Sequence, residues 1–114
     1  MVVAGVGAFP QVRRPRVLWA GVREGAESLH RLQPKLESAL SAFGVPSEDR
    51  SFHPHLTLGR VRRTERLGGL SAEIQKWRDV DFGPSSVSEL VLMRSELRST
   101  GAIHTPLERF PLKR

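Results

Sequence analysis

The 114-residue sequence predicts an α+β domain, an antiparallel β-sheet with two helices. Three observations carry that prediction. Several short segments alternate apolar and polar residues between prolines and glycines, the pattern of half-buried strands. Two other segments repeat apolar residues every three to four positions, the period of a helix with one buried stripe. The length admits a single core, near the small end for a domain that folds alone.

Val2–Phe9 reads as a first strand ending at Pro10, and Gln11–Pro15 as a basic, proline-bounded turn. Arg16–Val22 alternates about Val17, Trp19 and Gly21 and makes a second strand; a tryptophan in such a strand is more often core than a ligand contact. Gly25–Phe43 is the clearest helix, with Leu29, Leu32, Leu36, Leu40 and Phe43 on one stripe and Gly44 as its stop. Pro34 lacks a backbone donor, so a kink or two helical pieces are expected. His30, beside the stripe, is expected in solvent without a role. A polar connection, Val45–Ser51, leads to a strand over His53–Arg63. Leu70, Ile74 and Trp77 mark a short helix starting near Ser71 as its N-cap. Phe82–Ser86 reads as a turn, Val87–Leu97 as a strand, and Ile103–Leu112 as a last strand interrupted by Pro106. Without repeats or a linker, residues 1–114 are one domain.

Hydrophobic residues make up 39% and charged residues 26%, the balance of a soluble globular chain rather than a disordered one. No apolar run reaches the length of a membrane span. The apolar start lacks a basic leading segment and reads as a strand, not a signal peptide. Having no cysteine, the chain has no disulfide, thiolate nucleophile or cysteine-bound metal. No metal or cofactor is expected, and a cytoplasmic location is. The net charge of +6 is uneven: residues 1–63 hold ten basic against five acidic side chains, residues 64–114 eight against seven. A basic half attracts polyanions, by its field and by counterion release.

That half contains Phe52–Arg60, F-H-P-H-L-T-L-G-R. In a strand, His55, Thr57 and Gly59 share one face, and Leu56 and Leu58 point into a core on the other. The imidazole and the hydroxyl then stand about 7 Å apart at their α-carbons. An imidazole exchanges protons near neutral pH, and a threonine hydroxyl donates to a phosphoryl oxygen. Arg60, and beyond it Arg62, bring guanidinium groups that match phosphate geometry. His53 lies on the same face and reads as a flanking histidine.

The triplet H-x-T alone is a weak signal; the longer string is specific. F-x-P-H-L-T-L-G-R resembles the second signature of the two-histidine (2H) phosphoesterases, in particular the RNA 2',3'-cyclic phosphodiesterases, also called 2'-5' RNA ligases. The resemblance extends to G-A-F-P (Gly7–Pro10), R-P-R-V-L-W-A-G-V (Arg14–Val22), V-S-E-L-V-L-M-R-S-E-L (Val87–Leu97) and R-F-P-L (Arg109–Leu112). It covers nearly the whole chain, with a single H-x-T, so the sequence resembles the C-terminal part of the bilobal, LigT-like 2H fold. The domain at 1–114 is then a partial one, lacking the part that bears the first signature.

The resemblance implies metal-independent acid/base catalysis on RNA with 2',3'-cyclic phosphate ends. Water attacks phosphorus on one side, and the departing ribose oxygen takes a proton on the other. His55 would be one general acid/base, Thr57 its oxyanion donor, and Arg60 and Arg62 phosphate contacts. The product would be a 2'-phosphate, with 2'-5' ligation as a related activity. A homodimer would bring two copies of His55 together. The alternative is a binding module that holds RNA or nucleotide phosphates without turnover.

Overall fold

The computed structural model describes residues 1–61 and 69–113. Arg62 and Arg63 lie outside the described residues. Four strands form one antiparallel sheet in the order β3-β2-β1-β4: β1 is Val2–Gln11, β2 Arg14–Val22, β3 His55–Arg60 and β4 Asp81–Pro84. Two more strands, β5 (Glu89–Arg98) and β6 (Gly101–Pro111), form a separate two-stranded sheet among the described residues. Helix α1 (Ala26–Ser41) links β2 to β3, and α2 (Leu70–Lys76) precedes β4. The α+β prediction holds.

β1 and β2 run further than the alternation predicted. β1 continues through Pro10 to Gln11, opposite Arg14, so only Val12 and Arg13 turn the chain. β3 is shorter than expected and starts at His55. The expected turn over Phe82–Ser86 is instead largely β4, where Val2 faces Pro84 and Val3 faces Gly83. A strand of four residues with a proline and a glycine is too short to carry a readable period.

α1 is a single continuous helix with Pro34 inside it, not two pieces, and it buries no residue completely. α2 begins at an N-cap of Gly69 in the left-handed region, not at Ser71. The Ser71 hydroxyl instead donates to the Val12 carbonyl at 2.7 Å, tying the helix to the β1–β2 turn. α2 packs on β1. Among the described residues the buried apolar core is Ala8, Ala20 and Ile74.

Leu56 and Leu58 do not reach a core. They are 47% and 60% exposed. β3 is an edge strand, and the helix that packs on this sheet lies on β1, two strands away. Among the described residues no helix is long and apolar enough to cross a membrane.

Candidate active site

Register decides which side chains meet. Gly21 faces His55, Ala20 faces Leu56 and Trp19 faces Thr57. The register then shifts at Leu58, so that Leu18 faces Gly59 and Val17 faces Arg60. Directly opposed residues share a face of the sheet, and an extra residue in one strand reverses the alternation beyond it. His55, Thr57 and Arg60 therefore come to the same face, and Gly59 goes to the other. This corrects the simple alternation, which grouped Gly59 with the histidine and left Arg60 opposite. The bulge adds the guanidinium to the imidazole and the hydroxyl.

The same face carries aromatic rings from the inner strands. Phe9 lies opposite Val17, and Trp19 opposite Gly7. Phe9 meets both histidines edge to face, 5.0 Å from His55 and 5.4 Å from His53 between ring centroids. Trp19 lies 4.6 Å from His53 and 5.4 Å from Phe9. Its ring occupies the space above two glycines. A Cβ on Gly7 would fall 2.3 Å from Trp19 Cζ2, and one on Gly21 3.3 Å from Cζ3. Glycine at these two positions lets the indole lie on the strands. Trp19 is half-buried on the histidine face, and its buried Nε1 has no hydrogen-bond partner among the described residues.

His55 is oriented by its own strand entrance. Its Nδ1 lies 2.6 Å from the His53 carbonyl oxygen. A carbonyl only accepts, so Nδ1 carries the proton and the neutral ring presents Nε2 as its basic nitrogen. Pro54, buried between the two histidines, keeps His53 extended and so holds that carbonyl in position. The His53 imidazole, 6.1 Å from that of His55, is held below the ordinary histidine value, first by burial and then by the imidazoles of His55 and His30. His30 projects from α1 against Phe52, with ring centroids 5.5 Å apart.

Sequence reasoning missed Phe9 and undervalued Trp19, because pairing between strands, not position along the chain, brings them beside the histidines. The string G-A-F-P was visible, but nothing local to it says that Phe9 stands against His55. Among the described residues no cluster of three or more His, Cys, Asp or Glu side chains has metal-holding geometry. What the face offers is an oriented imidazole, a hydroxyl and a guanidinium on one exposed strand, flanked by rings.

Comparison with known proteins gives the family of the chain. The family model of the 2'-5' RNA ligase superfamily matches residues 1–98. The chain belongs to that superfamily. It is 39% identical over 109 residues to an RNA 2',3'-cyclic phosphodiesterase of Aquifex aeolicus, covering 95% of this chain and 57% of the relative. It is 41% identical over 113 residues to one of Methanothermobacter thermautotrophicus, covering 96% and 59%. A crystal structure of a Thermus thermophilus protein superposes with a TM-score of 0.63 at 32% identity, over 97% of this chain and 58% of that one. The chain thus spans a little over half the length of each of these three proteins.

Proposed function

We propose that this chain acts in the hydrolysis of RNA 2',3'-cyclic phosphate ends to 2'-phosphates, with His55 as one of two general acid/base groups. The observation that carries the reading is the His55 Nδ1 contact to the His53 carbonyl, which leaves Nε2 free toward the face that Thr57 and Arg60 share. Thr57 donates to a non-bridging oxygen as charge builds on phosphorus, and Arg60 neutralises that charge. Arg62 extends the phosphate contacts along the chain. Relatives named RNA 2',3'-cyclic phosphodiesterase support the reaction class. Ligation to a 2'-5' linkage is the same exchange with a ribose hydroxyl in place of water. A cytoplasmic setting fits an RNA substrate and a chain without cysteine.

In-line displacement needs a second proton group on the far side of phosphorus. The 114 residues contain one H-x-T triplet, so they are a partial 2H domain on this reading, and the second pair comes from outside them. A homodimer supplies it without any further component, since a twofold axis duplicates every group.

The test is a cyclic-phosphodiesterase assay on an oligoribonucleotide ending in a 2',3'-cyclic phosphate, with EDTA present. Turnover that falls by roughly 10²–10⁴-fold in His55→Ala supports the proposal. Tight binding of the terminus without turnover replaces it with the second reading, a binding module, which the single triplet favours.

A further inference from the structure

The β5–β6 ribbon has two unlike outer edges. β6 contains Pro106 and Pro111 and, opposite the step from Leu92 to Met93, a register shift. Prolines and bulges close a strand edge to further pairing. β5 has neither proline nor glycine over its ten residues, and among the described residues no strand pairs with its outer side. Pro106 also fixes which way β5 turns its backbone. It lies opposite Met93 and has no amide to donate, so that pair does not exchange hydrogen bonds. Met93, and at steps of two Ser95 and Leu97, therefore present amide and carbonyl to the open edge.

The side chains of that edge complement themselves. Arg94 and Glu96 share one face of β5, and Met93, Ser95 and Leu97 share the other. A twofold axis through Ser95 sets Arg94 of each copy opposite Glu96 of the other, and Met93 opposite Leu97. Opposite charges and apolar pairs in direct register are the contacts that stabilise a sheet. An axis through Met93 instead sets Leu92 opposite Arg94 and Leu90 opposite Glu96, and no ion pair forms across it. The Ser95 hydroxyl already lies 2.8 Å from His104 Nδ1 within its own ribbon, so it needs no partner at the axis.

We propose that the outer edge of β5 pairs with the same edge of a second copy, antiparallel about Ser95, and joins two ribbons into one continuous sheet. The pairing covers Met93 and Leu97, both exposed in the single chain. The ribbon alone carries this inference; where a second copy completes the site at His55, β5 is the surface by which that copy arrives. At dilution both edges lie in water, and Leu97→Ser then costs the monomer little.

The experiment is sedimentation equilibrium of the 114-residue chain, which shows a dimer at concentrations below about 1 mM. Arg94→Glu sets like charges opposite each other twice and raises the dissociation constant about tenfold; adding Glu96→Arg restores it. Ser95→Cys places a thiol on the axis of a chain that has no other, and mild oxidation links two copies. Arg98→Cys, opposite Leu92 of the second copy, does not link. A monomer at every concentration overturns the proposal, as does a dimer indifferent to the charge exchange or linked equally through positions 95 and 98. A dimer that passes these tests but leaves cyclic phosphate ends uncleaved keeps the interface and removes the homodimeric site.

Discussion

The four-stranded sheet and the β5–β6 hairpin use similar sequence patterns and reach opposite outcomes. Both pair antiparallel over long registers, and both alternate apolar residues. Yet the sheet contains the buried alanines and receives Ile74, whereas every residue of β6 is exposed and Leu97 is 89% exposed. Ion pairs line the hairpin instead: Arg109 with Glu89, and Glu96 with both Arg94 and Arg98. The difference teaches that a ladder of backbone hydrogen bonds positions side chains but does not dehydrate them. A two-stranded ribbon needs a further layer to gain stability from its apolar residues.

The largest expected effect lies in the sheet. Ile74→Ala empties the contact that closes α2 on β1, and should cost about 2–5 kcal/mol by urea unfolding. A loss below ~1 kcal/mol would mean that the sheet is no better covered than the hairpin, and the contrast would collapse.

A smaller effect is acid sensitivity at the site. The depressed pKa of His53 means that the unfolded chain takes up the proton more readily. Its contribution is complete above the unfolded histidine value, about 6.5, and is lost as pH falls from there through the lower folded value. His53→Gln should flatten the unfolding midpoint across that window. A slope that persists unchanged would assign the acid sensitivity elsewhere.

The smallest effect is expected in the hairpin. Leu97→Ser should change stability by no more than ~0.5 kcal/mol, as surface substitutions do. A larger loss, growing with protein concentration, would reveal that a second copy covers this ribbon. It would turn the contrast between the two regions into evidence for the homodimer.

Much of the site was legible because its chemistry is contiguous. His55, Thr57 and Arg60 lie within six residues, and no long-range contact is needed to notice them. The α1 stripe was legible for the same reason, as was the alternation in β2 and β5. β4 was not, since its identity comes from pairing with Val2–Ala4 at the far end of the chain. The start of α2 near Ser71 was legible, but its N-cap was not: Gly69 in the left-handed region precedes the helix, and the Ser71 hydroxyl sits inside it, donating to the Val12 carbonyl.

By itself, then, the sequence determined the α+β class, the superfamily resemblance and the residue types of the candidate site, all consequences of local period and composition. Tertiary structure alone decided that a bulge at Leu58 turns Arg60 toward His55, that Phe9 and Trp19 flank the histidines, and that Leu56 and Leu58 stay in water. The physical reason is register. Which side chains share a face depends on the partner strand, and a shift of one residue between two strands leaves no mark on the period of either.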